Sequence, residues 1–333
     1  MNHLNNKNIL ITGGTGSFGQ KFIETVLNKF KPKRLIVFSR DEQKQFNLQQ
    51  KWKEGGSSPM RYFIGDVRDA NRLSLAMRDA DIVIHAAALK HVPAAEYNPF
   101  EAVKTNVLGA QNVIDASLQN NVKQVIALST DKASSPINLY GASKLTSDKL
   151  FVAANNFKGS KNIRFSVVRY GNVMSSRGSV IPLFLNKKKD GVIPITDKRM
   201  TRFNITLQEG VDFVLFCLKK MWGGEIFVPK IPSYRLIDLA KAVAPNCKLK
   251  IVGLRPGEKL HEEMISTSDA VNTIEFKKYF VITPYSKFIN WNKKKFIKFN
   301  KEGKNCDNGF SYNSFNNKEY LTTNQIKKLI KSD

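Results

Sequence analysis

A doubly wound α/β chain, with a parallel sheet covered by helices on both faces and a smaller lobe after it, is what this sequence predicts. Three observations carry the prediction. Short apolar runs alternate with amphipathic stretches through the first 170 residues, a glycine-rich turn follows the first of those runs directly, and the rhythm loosens beyond Tyr170. Asn8–Thr12, Arg34–Phe38, Arg61–Gly65, Asp81–His85, Gln124–Ser129 and Ile163–Arg169 read as buried strands. Between them, stretches such as Gly19–Phe30, Pro99–Gln119 and Leu139–Asn156 repeat apolar residues at helical spacing. Strand and helix alternating in this way build βαβ units, whose parallel strands are apolar on both faces. Further on, helices are expected near Val180–Asn186, Leu207–Met221 and Leu236–Val243, and short strands near Glu225–Val228 and Lys248–Val252. The expected organisation is a nucleotide-binding domain over residues 1–170, with parts of 200–230 returning to it. A substrate lobe follows over 171–280, and residues 281–333, rich in Lys, Asn and Phe, are expected as an appendage.

The chain has 333 residues, of which 42% are hydrophobic and 24% charged, a mix that supports a sizeable core and excludes wholesale disorder. Three cysteines, Cys217, Cys247 and Cys306, are too few and too scattered for a disulfide framework. With four histidines they offer no metal-ligand spacing, so no metal is expected. No apolar run approaches the roughly 18 residues that cross a bilayer. The polar start from Met1 to Lys7 leads straight into a strand, so neither a signal peptide nor membrane insertion is expected, and the chain reads as cytoplasmic. Lys and Arg number 53 against 28 Asp and Glu, a formal charge of +25. Such an excess attracts anions, from nucleic acid to phosphorylated small molecules. The lysines are scattered, with local groups at Lys187–Lys189, Lys293–Lys295 and Lys327–Lys331, which reads as a solvated basic surface.

Gly13, Gly16 and Gly19 lie in TGGTGSFG, after the first strand and at the start of a helix. A glycine turn there lets backbone approach a pyrophosphate, and the helix N-terminus offers free N–H groups and a favourable dipole. Thr15, Ser17 and Phe18 share that turn, which marks the sheet as a Rossmann dinucleotide site. The second strand ends in Ser39 and Arg40, a hydroxyl and a cation that suit the 2′-phosphate of NADP, where an acid would suit NAD. Asp41, an acid that would suit NAD, follows immediately, and with Glu42 and Lys44 it is a further cofactor-binding candidate; Arg40 as a solvated residue at the helix start stays open as the alternative. Asp66 and Val67 are placed to border an adenine, unless Asp66 caps the next helix. Ala86 provides a small side chain where a ring or ribose must lie close.

Tyr140 and Lys144 stand four apart, on one face of a helix. A neighbouring ammonium lowers a phenol's pKa, so the tyrosine can take a hydroxyl proton while hydride leaves for a nicotinamide. Behind a dinucleotide turn, and after Ser129 and Thr130 at a strand end, this pair resembles the extended short-chain dehydrogenase/reductase family over at least residues 8–265. Within that resemblance, Asp131 and Lys132 discriminate. An acid beside a base at one strand end is what elimination of water requires: Lys132 takes the C5 proton and Asp131 protonates the departing C6 hydroxyl. Solvated charges in a turn remain the bland alternative.

The full pattern of GGTGSFG, FSRDE, GDVRD, HAAALKHVPAAEYNP, STDKA, YGASK, RYGNV, RGSV, MTRF and RPGEKLHE is similar to the inverting UDP-N-acetylglucosamine 4,6-dehydratases. Asn204 departs from it, standing where that family has an aromatic residue. The resemblance implies NADP as cofactor, UDP-N-acetylglucosamine as substrate and a homo-oligomer. The implied product is UDP-2-acetamido-2,6-dideoxy-β-L-arabino-hexos-4-ulose, used for pseudaminic acid or another 6-deoxy amino sugar of surface or flagellar glycans. It further implies that Thr130 supports Tyr140 and that Lys90 sits by cofactor and sugar, with an ordinary loop lysine as the plain alternative for Lys90. Asn172, Val173, Val180, Thr196 and Arg202 would line the substrate, and Arg255 and Glu258 would hold the UDP end, with a salt bridge and a helix-start carboxylate as their plain alternatives. Arg199 and Arg202 support phosphate or pair with nearby acids, and His85 and His91 are read as structural. A 5-retaining dehydratase or UDP-sugar 4-epimerase, and a nucleic-acid-binding Rossmann protein, are the competing readings.

Overall fold

The computed structural model describes residues 3–174, 180–284 and 291–332. Arg177, Gly178 and Ser179 of the RGSV motif lie outside the described residues. The expected βα alternation is present as β1 (Asn8–Thr12), α1 (Ser17–Lys29), β2 (Arg34–Ser39), α2 (Glu42–Lys51), β3 (Met60–Ile64), α3 (Ala70–Ala76) and β4 (Ile82–His85). After β4 come α4 (Val92–Tyr97), α5 (Pro99–Val103), α6 (Gly109–Gln119), β5 (Gln124–Thr130), α7 (Leu139–Phe157) and β6 (Arg164–Tyr170). β1 is buried at all five positions and β4 at all four, as the apolar runs require for strands covered on both faces.

One predicted helix differs. Pro99–Gln119 is interrupted by a π-helical turn at Lys104–Leu108, which turns Thr105 and Asn106 into the interior. The Asn106 amide there donates to the Leu89 carbonyl at 2.9 Å and to Ser143 Oγ at 3.0 Å, and its oxygen accepts from the Leu89 N–H at 2.8 Å. These bonds tie the loop after β4 to α7, and π-turns characteristically sit where such a side chain must be re-aimed.

The second half supplies β7 (Asn172–Val173), α8 (Val180–Lys187), β8 (Val192–Ile195), β9 (Thr201–Ile205), α9 (Leu207–Lys220), β10 (Ile226–Pro229), β11 (Ser233–Arg235), α10 (Leu236–Val243) and β12 (Lys248–Ile251). Then follow β13 (Glu263–Ile265), α11 (Thr267–Ala270), β14 (Thr273–Glu275), β15 (Tyr279–Ile282), α12 (Lys293–Asn300), β16 (Lys304–Asn305), β17 (Tyr312–Asn313) and α13 (Thr323–Ser332). The main sheet has ten strands in the order β16-β14-β15-β10-β6-β5-β4-β1-β2-β3. From β3 to β10 neighbours run parallel; β15, β14 and β16 extend the β10 edge antiparallel. The order 3-2-1-4-5-6 at its centre is that of a doubly wound dinucleotide fold, which opens its ligand crevice at the carboxyl ends of the strands beside β1 and β4.

A second core lies under the small sheets β11-β9-β7 and β12-β8, where Phe184, Ile193, Ile195, Met200 and Leu239 pack together. The segment expected as an appendage is woven into both bodies. Phe296 is fully buried in the main core and Ile326 in the smaller one. The Tyr312 hydroxyl donates to the Ile231 carbonyl and accepts from its N–H, both at 2.9 Å. A fully satisfied buried phenol of this kind fixes a strand far more firmly than its two-residue pairing.

Candidate active site

The glycine turn has the geometry a pyrophosphate needs. Gly13 adopts φ +68°, and a Cβ there would stand 2.9 Å from the Ala87 nitrogen, so the turn lies against the chain leaving β4. A Cβ on Gly19 would fall 2.5 Å from Gly14, so only glycine lets α1 start this close to β1. Gly16 occupies the cap position of α1 without a capping side chain. Phe18 stacks on Phe22 at 6.1 Å within α1, facing packing more than a ligand. Gly13→Ala is expected to weaken dinucleotide binding at least tenfold, since φ > 0 and the Ala87 contact both oppose the side chain. Titration of dinucleotide by cofactor fluorescence checks it.

At the end of β2, the Thr15 and Ser39 hydroxyls bond at 2.8 Å. Arg40 is more than half exposed and lies 3.6 Å from Asp66. Asp66 does not cap α3, a role taken by Asp69; its carboxylate instead accepts from Arg68 and faces Arg40, and these cations hold it below the usual carboxylate range despite partial burial. Asp41 caps α2 through the Lys44 N–H and pairs with the Lys44 ammonium, while Glu42 opens the same helix. Asp41 and Lys44 thus satisfy each other. Val67 is buried against Gly109, where an added Cβ would meet it at 2.8 Å. Ala86 continues β4 by donating to the Thr12 carbonyl, and Lys90 is exposed on the loop that Asn106 anchors. His85 is buried, bonds Thr12 Oγ1 at 2.8 Å, and is held neutral by burial and the Lys144 charge, its pKa pushed down to about 3.

The catalytic candidates converge where β5 ends. Thr130 leads into a single 3₁₀ turn, Asp131–Ala133, which projects both charged side chains inward. Asp131 is 1% exposed, so the reading of solvated turn charges does not hold. Its Oδ1 accepts from Thr130 Oγ1 at 3.0 Å and from Lys132 Nζ at 3.1 Å, while Oδ2 is buried without a partner in the described structure and faces Gly171. Asn138 caps α7 through the Gly141 N–H and sets Tyr140 in its first turn, beside Thr130. A Cβ on Gly141 would lie 2.2 Å from the Lys132 carbonyl, so glycine there lets α7 press against the 3₁₀ turn.

Burial pushes the Tyr140 phenol up to about 12, against the pull of the Lys132 ammonium and the Thr130 hydrogen bond. The ammonium that lowers this phenol is therefore that of Lys132. Lys144, one turn on and 3% exposed, is itself weakened by burial and supported by Asp148. Burial also raises the Asp131 carboxyl, opposed by Lys132. For Lys132, burial alone would weaken the ammonium, but two carboxylates, Asp131 and Glu262, outweigh it and hold the group above the usual lysine range.

Glu262 was not among the residues singled out from sequence, although it ends the RPGEKLHE motif. It is 2% exposed, with Oε1 3.0 Å from Lys132 Nζ and 3.7 Å from Arg202 Nε. Arg202, on β9, further donates to the Thr201 and Leu260 carbonyls. Tyr234 on β11 is also near, its phenol pushed up to about 12 by burial while Arg202 and Lys132 pull it down.

Asn172, Val173, Val180, Asn204 and Tyr234 line one small cavity of about 10 Å³, and Asn172 Oδ1 is buried without a partner in the described structure. Asn204, where an aromatic was expected, is buried and donates its N–H to the Pro232 carbonyl at 2.8 Å. The structure thus brings Asn172, Val173 and Val180 together beside the β9 strand that carries Arg202. Thr196 lies half-buried just past β8. Arg199 pairs with Asp197 at 2.8 Å and is exposed, the plain alternative offered for it. Arg255 and Glu258 face each other at 3.9 Å on a loop whose Gly257 carbonyl accepts from the Asn138 amide. That loop is thereby docked on the start of α7, with Arg255 more than half exposed.

Comparison with known proteins places this geometry in context. Residues 9–284 match the model of the family described as polysaccharide biosynthesis protein. The chain is 56% identical over 329 residues, covering 98% of both chains, to a UDP-N-acetylglucosamine 4,6-dehydratase (inverting) of Campylobacter jejuni. It is 40% identical to a UDP-glucose 4-epimerase of Rickettsia canadensis, over 97% of this chain and 95% of that one. The solved structure of Pen from Bacillus thuringiensis superposes with a TM-score of 0.88 at 39% identity and 99% coverage of each chain.

Proposed function

The chain belongs to the polysaccharide biosynthesis protein family, and from that premise we propose that it is a UDP-N-acetylglucosamine 4,6-dehydratase that inverts C5 of the sugar. The observation that carries the reading is the buried Asp131–Lys132 pair beside Tyr140, supported by 56% identity to a relative of that name. An epimerase needs only the hydroxyl–tyrosine–lysine set; a buried acid–base pair at the same strand end serves elimination.

The cofactor is NADP, and the fit rests on the Gly13 and Gly19 cradle, the capless start of α1 and the Arg40 cation at the end of β2. When bound, it accepts a hydride from C4 and returns it to C6. Tyr140, beside Thr130 and with Lys144 one turn along α7, takes the C4 hydroxyl proton in its phenolate form, which the Lys132 ammonium favours. The new ketone acidifies C5. Across the 3.1 Å contact one proton passes from Lys132 to Asp131, turning an ion pair into a neutral amine and a carboxylic acid. Burial, which disfavours both charges, assists that transfer. Lys132 then accepts the C5 proton and Asp131 gives its proton to the C6 hydroxyl, which leaves as water. A solvent proton delivered to C5 from the opposite face completes inversion, and Tyr140 returns the C4 hydroxyl proton to solvent, so protons balance with no net redox change.

Lys90, Asn172, Val173, Val180, Thr196 and Arg202 line the sugar and diphosphate, and Arg255 and Glu258 hold the uridine end. A homo-oligomer is supported by Tyr97, Phe100 and Leu108, exposed apolar residues on the consecutive turns from α4 to α6. The product enters synthesis of a 6-deoxy amino sugar such as pseudaminic acid. Among the described residues no helix is long and apolar enough to cross a membrane.

Incubation with UDP-N-acetylglucosamine in deuterated water, followed by NMR, tests the reading. A 4-keto-6-deoxy product with deuterium at an inverted C5 is expected; a C4 epimer retaining its C6 hydroxyl would overturn it. Arg40→Ala is expected to raise KM for NADP at least tenfold and leave that for NAD nearly unchanged, since only the 2′-phosphate needs the cation. Steady-state kinetics with each dinucleotide checks this.

A further inference from the structure

We propose that Glu262 is a positioning residue for the elimination step, holding Lys132 toward the substrate and stabilising the ammonium that forms when Lys132 accepts the C5 proton. The proposal rests on the dehydratase reading above. Its basis is geometric. Lys132 Nζ sits between two carboxylates, Asp131 Oδ1 at 3.1 Å and Glu262 Oε1 at 3.0 Å, and these two cannot play one role. Asp131 precedes Lys132 in the chain and bonds Thr130; each acid keeps one oxygen buried without a partner in the described structure, Asp131 Oδ2 beside Gly171 and Glu262 Oε2. Glu262 approaches from a different strand pair and has a cation of its own, the Arg202 guanidinium at 3.7 Å.

That second cation separates the two acids. When Lys132 passes its proton to Asp131, Glu262 still faces Arg202 and stays ionised, as its position below the usual carboxylate range indicates. An ionised Glu262 makes the neutral amine a stronger base, because the cation it becomes is already matched by a fixed anion. This is the part a buried carboxylate plays behind a catalytic imidazole.

Glu262 is itself held rigid. Its N–H donates to Ser314 Oγ at 2.9 Å, its carbonyl accepts from the Ser314 N–H at 2.7 Å, and Ser314 Oγ bonds Thr201 Oγ1 at 2.7 Å. Ser314 lies just past β17, so the C-terminal segment reaches the base through two hydrogen bonds to one residue. The groups facing Lys132 are Asp131 beside it, Tyr140 on α7, Arg202 on β9, Tyr234 on β11, and Lys259 and Glu262 on the approach to β13. Among these, Glu262 is the acid whose removal leaves the Asp131 pair intact.

The test is the pH dependence of single-turnover product formation in Glu262→Gln and Glu262→Asp beside the natural protein. Deuterium entry at C5 and appearance of reduced cofactor are followed separately across the pH range. Removing the charge lowers the proton affinity of Lys132, so C5 exchange should fall at least tenfold in Glu262→Gln while reduced-cofactor formation and KM stay within twofold. Glu262→Asp keeps the charge and should restore most of the exchange. Unchanged C5 exchange in a folded Glu262→Gln, judged by its thermal melt and dinucleotide affinity, overturns the proposal. So does an equal loss of exchange and of reduced-cofactor formation in both variants, which a purely structural role would produce. If the natural protein forms no 4-keto-6-deoxy sugar, the dehydratase reading fails first, and the two failures are distinguishable.

Discussion

Replacing Lys132 by methionine is expected to lower dehydration about 1,000-fold while C4 oxidation survives. The variant keeps the length of the stem and removes the ammonium, so neither Tyr140 nor the glycine turn is displaced. The C4 hydroxyl proton still has its acceptor, although C4 oxidation slows, because the Lys132 ammonium is also the cation that lowers the Tyr140 phenol. What disappears is the group that removes the C5 proton, so the 4-keto sugar accumulates and the near-ultraviolet absorbance of reduced cofactor persists after substrate is added. Deuterium entry at C5 should be abolished with it. Loss of the ammonium also leaves Asp131 and Glu262, 1% and 2% exposed, without their shared cation. Asp131, already raised by burial, takes up a proton, and Glu262 keeps Arg202. The stability loss is therefore expected near the lower end of the roughly 3–5 kcal/mol seen when a buried pair loses one member, which a thermal melt measures. Continued deuterium exchange at C5 in this variant would remove Lys132 from the role of base.

The sequence makes much of this machinery visible because the chemistry sits where periodicity is strongest. β1, β4, β5 and β6 fall within one residue of their apolar runs, and their carboxyl ends carry Gly13, Ala86, Thr130 and Asn172 or the turns just after them. Asp131 and Lys132 are adjacent in the chain, so their pairing needs no knowledge of the fold. Glu262 is different. It meets Lys132 only because β13 pairs with β17 and the loop before it docks on Asn138, contacts that no local pattern encodes. The π-turn at Lys104–Leu108 was equally hidden: its residues are ordinary helix formers, and it is Asn106's bonds to Leu89 and Ser143 that favour the irregular turn. The C-terminal strands are two residues long and set among lysines and asparagines, too short for alternation to register. Their anchors, Tyr312 and Ser314, are polar residues whose value comes wholly from buried partners.

Tyr140→Phe is expected to lose at least 1,000-fold in overall turnover, with a signature opposite to that of Lys132→Met. Oxidation at C4 comes first, so without the phenol no reduced cofactor absorbance should appear, and C5, never acidified by a neighbouring ketone, should not exchange. The folded state should hardly notice. The change removes one buried hydroxyl beside Thr130 and leaves the ring in place. The Asp131–Lys132–Glu262 cluster remains, so the contrast isolates the two halves of the reaction. Supplied with an already oxidised 4-keto substrate and reduced cofactor, Tyr140→Phe should regain C5 exchange, because Lys132 is untouched; Lys132→Met should not. If Tyr140→Phe still reduced its cofactor on addition of UDP-N-acetylglucosamine, the proton acceptor would have to be sought elsewhere. Lys144, 3% exposed and weakened by burial, would be the next group to remove.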